Sequence, residues 1–315
     1  MPRTIAVTGA TGFIGRMLVD HLLAAGWNVR ALARSRSAQK LSRVQGLETI
    51  TGSLEDGESL THLLEGADAV VHCAGAVRGV TAEDFNVVNV EGVKQLLRAA
   101  LSRSPRPRIL ALSSLAAREP GLSHYASSKH QGEQVLASMA EDMEWVALRP
   151  PAVYGPGDRE LLPLFQWMGR GIAPVLGDAD ARVSLLYVED LCAAVLKWLD
   201  SGRCRSGIYE INDTRPGGYS WDEIIANVSE LRARQIYRLP LPAAALRSMA
   251  AINVTAARLF GYAPMLTPGK VRELRHPDWV GDNTALSAAI GWQPAVSLQE
   301  GLRRTMGWSG SGLTE

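Results

Sequence analysis

The sequence predicts an α/β protein: a doubly wound parallel sheet carrying a smaller, mainly helical lobe. Three observations carry that expectation. Strand-like and helix-like periods alternate through the first half of the chain, a pattern that implies right-handed crossovers between parallel strands. Glycines at 9, 12 and 15 fall between the first strand and the first helix, where a sheet of this kind keeps its phosphate-binding turn. Beyond Arg149 the texture changes, first to a loop-rich region and then to a mostly helical one.

Each element follows from its pattern. Thr4–Thr8 is a short β-rich run. Phe13–Ala25 sets Ile14, Met17, Leu18 and Leu22 at helical spacing, and Gly26 supplies the stop signal. Apolar runs suited to buried parallel strands recur at Val29–Ala33, Leu47–Thr51, Ala69–Cys73, Ile109–Leu112 and Trp145–Leu148. Helical patterns at Ser59–Leu64, Val87–Leu101 and Ala126–Met139 separate most of them. Past Arg149-Pro150-Pro151, prolines and glycines punctuate the chain around one helical stretch near Leu161–Met168. Val183–Tyr187 and Glu189–Leu199 read as a strand and helix returning to the sheet. From Ser220 onward the reading is mainly helical, with Trp221, Trp279, Trp292 and Trp308 as expected core of the lobe. The boundaries that result are 1–150 plus about 183–212 for the sheet domain, about 151–182 and 213–308 for the lobe, and 309–315 as a tail.

Composition narrows the function classes. A chain of 315 residues holds about two domain-equivalents. Its 33 basic and 32 acidic residues nearly cancel, so the whole-chain balance offers no reason to expect nucleic acid or an anionic membrane as partner. Cys73, Cys192 and Cys204 form no Cys-x-x-Cys pair, and no histidine–carboxylate group has metal-ligand spacing; neither a disulfide framework nor a metal is expected. The N-terminus has no apolar signal core, and the most apolar later stretch, 239–261, is broken by Pro240, Pro242, Arg247, Asn253 and Arg258. A cytoplasmic protein without a membrane span, acting on a small molecule, is the expectation.

The turn reads Thr8-Gly9-Ala10-Thr11-Gly12-Phe13-Ile14-Gly15. Gly9 permits the tight bend, Gly12 lets backbone approach a pyrophosphate, and Gly15 lets helix pack on strand. The helix N-terminus behind it offers free N–H groups to phosphate. At the end of the second strand an acid would hold a ribose 2′-OH, but Ala33 stands there, followed by Arg34 and Arg36. Guanidinium–phosphate pairing then makes NADP(H), rather than NAD(H), the expected cofactor.

Tyr125 and Lys129 lie four residues apart on one face of a helix, just after a strand that ends in Ser113-Ser114. Strand ends at the carboxyl edge of an open parallel sheet are where ligands bind. A phenol titrates near 10 and is a poor base at neutrality; a nearby ammonium, together with the positive charge of an oxidised nicotinamide, is expected to lower that value. Tyr125 then exchanges a proton with an alcohol or ketone, while Ser114 orients the same substrate oxygen.

In order and spacing, these pieces resemble the short-chain dehydrogenase/reductase superfamily in its extended, epimerase/dehydratase branch. The matching segments are Thr8–Gly15, His72-Cys73-Ala74-Gly75, Asn89-Val90-Glu91-Gly92, Ser113-Ser114 and Tyr125–Lys129. Arg149–Gly157, Tyr187–Leu191, Gly291–Pro294 and Ser297–Gly301 extend them nearly to the C-terminus. The resemblance implies a Rossmann-type sheet, Tyr125 as acid/base, Lys129 on the nicotinamide ribose, and Ser114 as hydroxyl helper, with Ser113 the alternative. It also implies cofactor contacts from Gly9, Thr11, Gly12, Phe13, Ile14, Gly15, Ala74, Gly75, Asn89 and the Pro150–Val153 segment. Two departures stand out. Gly52-Ser53-Leu54 replaces the family's Gly-Asp-Leu, leaving Ser53 and Leu54 near the adenine without the acid. Val183-Ser184-Leu185 replaces an Arg-Asp-Phe common in the nucleotide-sugar enzymes, with Arg182 one place off.

The leading expectation is an NADP(H)-dependent oxidoreductase acting on a carbonyl or secondary alcohol of a relatively apolar small molecule. The alternatives are a nucleotide-sugar epimerase/dehydratase that does not consume its cofactor, and a non-catalytic assembly protein stabilised by the cofactor. The resemblance leaves oligomeric state open, a homodimer being common.

Overall fold

The computed structural model describes residues 3–41, 44–178, 180–202, 204–213 and 215–308; the expected tail at 309–315 lies outside them. Six strands alternate with helices: β1 (Thr4–Thr8), β2 (Asn28–Ala33), β3 (Leu47–Thr51), β4 (Ala69–His72), β5 (Arg108–Leu112) and β6 (Trp145–Arg149). A seventh strand, Gly207–Glu210, pairs with β6. The order across the sheet is Gly207–Glu210, β6, β5, β4, β1, β2, β3, and every pairing within it is parallel. The register sets Thr8 beside His72, His72 beside Ala111 and Leu112 beside Leu148, so the carboxyl ends share one edge. The order reverses direction at β1, the switch point at which such sheets bind ligands.

Helices α1 (Phe13–Ala24), α2 (Ser35–Ala38), α3 (Gly57–Leu63), α4 (Ala82–Asn86), α5 (Gly92–Leu101) and α6 (His124–Met139) fill the crossovers. The sheet is apolar on both faces, as a fully covered parallel sheet requires. Leu18, Leu22 and Trp198 cover one face, with Val7, Val71 and Val146 from the strands. Leu60, Leu97 and Leu136 cover the other, with Ala6, Val70 and Ile109. The Thr284–Ile290 helix, assigned by sequence to the lobe, puts Leu286 and Ile290 into the first of these cores, and Trp292, just past its end, joins them. Trp308 instead joins Tyr154, Phe165, Tyr187, Tyr219 and Val228 in the core of the lobe.

The Val183–Tyr187 run does not return to the main sheet. It breaks at buried Ser184, whose Oγ accepts a hydrogen bond from the Gly281 amide at 3.1 Å. Arg182–Val183 pairs with Asp278–Trp279, and Leu185–Tyr187 with Ala152–Tyr154. The following helix, Val188–Asp200, does pack on the sheet through Leu191, Val195 and Trp198. The expected single helix over Val87–Leu101 begins instead with a wider, π-type turn over Val87–Glu91, ahead of α5.

Candidate active site

The glycine turn is built on two close approaches. Gly9 has φ +70°, and a Cβ there would sit 2.5 Å from the Ala74 amide nitrogen. A Cβ on Gly15 would collide with the Gly9 carbonyl oxygen. The Gly12 amide donates to that same oxygen at 3.0 Å, closing the bend. Gly12 caps α1 without any side-chain hydrogen bond, so the first-turn amides are left free for a ligand. Thr11, Phe13 and Ile14 are half-buried around the opening. The turn therefore fits a pyrophosphate.

A second concavity, of about 630 Å³, lies over the ends of β2 and β3. Arg34, Arg36 and Lys40 line it together with Ser35, Ser37, Ser53 and Asp56. Three cations face one carboxylate, and Asp56 already accepts from the Glu58 and Ser59 amides at 3.1 and 3.3 Å. Ser53 Oγ accepts from the Glu55 amide at 3.3 Å, and Leu54 packs on Gly92. Electrostatically this cavity suits a phosphate monoester.

Ser113 and Ser114 follow β5 directly, and the structure separates them. The Ser113 hydroxyl donates to Glu133, a buried carboxylate that also receives Arg149 Nε at 2.8 Å and Nη2 at 2.7 Å. That hydroxyl is committed. Ser114 Oγ accepts from the Ala116 amide at 3.2 Å and is near enough to Tyr125 to act on its phenol. Lys129, one helical turn beyond Tyr125, donates from Nζ to the Leu112 carbonyl at 2.9 Å. Its ammonium is drawn down to about 8 by burial, which the Glu133 charge opposes. Asn89, buried in the π-type turn, bonds Ala76 on both sides: Nδ2 donates to its carbonyl at 3.0 Å and Oδ1 accepts from its amide at 2.9 Å. The loop carrying Ala74 and Gly75 is thereby held beside Lys129, whose Nζ lies 3.0 Å from where a Gly75 Cβ would be. Pro150 accepts from the Leu115 amide at 2.9 Å, and Val153 packs at the edge of the sheet core.

One expectation is corrected. The Tyr125 phenol is not lowered by Lys129 but pushed up to about 12, first by burial and further by the Glu273 charge, against the Ser114 contact. Lys129 donates instead to a backbone carbonyl, and the Glu273 carboxylate is near enough for its charge to act on the phenol. His72 is core: burial and the Lys129 charge pull it down to about 3, and Nδ1 meets Thr8 Oγ1 at 2.8 Å. Burial pushes the Cys73 thiol up to about 12.

The sequence reading gave the chain after Ser220 as mainly helical without singling out the helix Pro268–Leu274. It brings Lys270 Nζ to 5.8 Å from the Tyr125 ring centre and buries Glu273 against Ser123, the cap of α6. A helix-start signal was present in Thr267-Pro268, but nothing local showed its target. Phe85, in α4, meets the same ring edge-on at 6.2 Å. Arg182 is paired with Glu223 at 3.0 Å.

The model of the NAD dependent epimerase/dehydratase family matches residues 5–211. A ceramide reductase of Caulobacter vibrioides is 36% identical over 308 residues, covering 96% of this chain and 93% of the relative. A 2-alkyl-3-oxoalkanoate reductase of Stenotrophomonas maltophilia is 27% identical over 332 residues, covering 95% and 97%. Among solved structures, a UDP-glucose 4-epimerase of Thermotoga maritima with UDP-glucose superposes with TM-score 0.75 over 96% of this chain and 97% of that one; at 22% identity the likeness is one of fold. With the glycine turn, the Rossmann-like sheet and the Ser114/Tyr125/Lys129 group in hand, the chain belongs to the NAD-dependent epimerase/dehydratase family, as an NAD(P)-dependent enzyme of the extended short-chain dehydrogenase/reductase type.

Proposed function

We propose that the protein is an NADP(H)-dependent reductase of a ketone carried on a relatively apolar molecule. The observation that carries the reading is the separation of the two serines after β5: Ser113 is tied to Glu133, which leaves Ser114 as the hydroxyl for substrate, while the helix that begins with Tyr125 sets Lys129 on the Leu112 carbonyl at the same strand end. Burial favours the protonated phenol, the form that donates to a carbonyl oxygen.

Gly9, Thr11, Gly12, Phe13, Ile14 and Gly15 take the pyrophosphate. Arg34 and Arg36 take the 2′-phosphate, with Ser53 and Leu54 at the adenine. Ala74, Gly75, Pro150 and Val153 border the nicotinamide half, with Asn89 bracing its loop. Bound there, the dinucleotide supplies the two-electron chemistry at the carbonyl carbon. Lys129 holds the adjoining ribose. Ser114 donates to the carbonyl oxygen and orients it, and Tyr125 transfers its phenolic proton to the same atom.

The reductase-named relatives, whose names specify ceramide and 2-alkyl-3-oxoalkanoate, support an apolar substrate class. The sugar-nucleotide reading has less support. The place of its charged pair is taken by Ser184, buried and bonded to Gly281, and Arg182 is engaged by Glu223. Purified protein with NADPH and a long-chain 3-oxo acid or ceramide-type ketone tests the proposal. Loss of NADPH absorbance is expected with these and not with UDP-glucose. Interconversion of UDP-sugars without net NADPH loss overturns it.

A further inference from the structure

We propose that Glu273 is a positioning residue for the proton transfer: by taking the proton of the Ser123 hydroxyl it fixes the start of α6, and with it the Tyr125 phenol. This role rests on the reading of Tyr125 as proton donor. Ser114 and Tyr125 stand at the two ends of one connection, residues 115–124, and both must reach a single carbonyl oxygen. Ser114 is set by β5, which it follows, and by its neighbour Leu115, whose amide donates to the Pro150 carbonyl at 2.9 Å. Tyr125 lies in the first turn of α6, so its place depends on how that helix begins.

Ser123 begins it. Its Oγ accepts from the Ala126 amide at 2.9 Å, the ordinary work of a capping serine. A hydroxyl also has one proton to give, and here that proton goes to Glu273 Oε1. Donor and acceptor capacity are both committed, which holds Oγ in one rotamer. Ser123 is 9% exposed and Glu273 4%, so water is a poor substitute for either partner.

The carboxylate is held without help from Ser123. Lys270 Nζ donates to its other oxygen at 2.8 Å, and Trp279 Nε1 donates to the Glu273 backbone carbonyl at 2.7 Å. Its surroundings grip the same connection at other points. Arg272 Nε donates to the Leu122 carbonyl at 2.7 Å, and Arg118 spans the Val280 and Asp278 carbonyls at 2.9 and 2.6 Å. A Cβ on Gly269 would stand 2.9 Å from Ser123 Cβ. The lobe segment 269–280 therefore clasps residues 118, 122 and 123, and Glu273 carries that frame to the helix cap. Proton transfer needs a heavy-atom separation of about 2.6–3.2 Å, and a misplacement of about 1 Å costs up to about 10²-fold in rate.

The test compares variants of the full chain for turnover of a long-chain 3-oxo acid or ceramide-type ketone with NADPH, and for stability in urea. Glu273→Gln keeps an acceptor for Ser123, and its kcat is expected within about threefold of the parent. Lys270→Met/Glu273→Leu replaces the ion pair by an apolar one but offers Ser123 no acceptor. Its kcat should fall about 10–100-fold with the KM for NADPH unchanged, even where its stability matches the parent's. Adding Ser123→Ala to that pair should cost no further turnover, because both changes break one contact. Parent-like kcat in Lys270→Met/Glu273→Leu overturns the proposal, and so does a further, additive loss on Ser123→Ala. Tyr125→Phe separates the two levels. Full turnover there removes the donor and the positioning together, whereas an inactive Tyr125→Phe beside a fully active Lys270→Met/Glu273→Leu removes the positioning alone. Hydrogen exchange at the Ala126 amide needs no substrate. It should be about fivefold faster in Lys270→Met/Glu273→Leu and parent-like in Glu273→Gln; equal exchange in all three proteins overturns the proposal.

Discussion

Lys270 Nζ stands 5.8 Å from the centre of the Tyr125 ring and donates to Glu273 Oε2 at 2.8 Å. The ion pair thus lies against the phenol, delivered from a helix more than a hundred residues downstream. Glu273 is buried and also accepts from the Ser123 hydroxyl that caps α6. Its charge raises the phenol and the ammonium compensates it.

Lys270→Met is expected to cost about 2–3 kcal/mol, because it leaves a buried carboxylate without its cation. Lys270→Met/Glu273→Leu should recover most of that loss, since an apolar pair replaces the ionic one. Urea denaturation of the four members of the cycle measures it. Equal stability of Lys270→Met and the parent would show that solvent already neutralises Glu273.

Tyr125→Phe removes the transferable proton and keeps the ring that packs on Phe85. Turnover should fall by about 10²–10⁴, with NADPH affinity within a few-fold of the parent. Ser114→Ala should lose about 10²–10³. Ser113→Ala should lose stability instead, as its hydroxyl serves Glu133. Comparable kinetic losses at 113 and 114 would contradict the separation of their roles.

Arg34→Ala/Arg36→Ala should weaken NADPH by about 10–100-fold, the range for one or two charge-assisted hydrogen bonds, and leave NADH affinity nearly unchanged. Fluorescence titration with both cofactors distinguishes the outcomes. An equal loss for both would assign the arginines to the fold of the loop, and a parent preference for NADH would remove the 2′-phosphate reading.

Much of this site was legible because its determinants are local. Gly9 and Gly15 announce a turn whose backbone no side chain tolerates, and Tyr125 and Lys129 meet on one face of a helix at a spacing of four. What escaped the sequence depends on distance or on competition. Lys270 and Glu273 are recognisable only once their helix is docked on Ser123. Gly207–Glu210 is a four-residue edge strand in which only Tyr209 is buried, too short for its alternation to stand out. Val183–Tyr187 reads as one strand, yet the Ser184–Gly281 bond divides it between two partners. The direction of the Tyr125 shift was also out of reach, since it turns on burial and on Glu273, a charge from a distant helix.

His72 gives the last prediction. Its imidazole is buried under the turn, with Nδ1 on Thr8 Oγ1 and no partner for Nε2, and it is held down to about 3. The unfolded chain takes up that proton near 6.5, so between about 3 and 6.5 the unfolded state binds more protons and stability falls as pH falls. From this group alone the loss between neutrality and pH 5 is about 2 kcal/mol. His72→Gln has no such ionisation. Its unfolding free energy should therefore decline less between pH 7.5 and 5 than that of the parent, by about that amount, whatever its absolute stability. Other groups, including Asp84 and Glu223 with their lowered carboxyls, contribute equally to both proteins and cancel in the difference. Parallel acid profiles for the two would show that the buried imidazole takes up its proton as readily folded as unfolded.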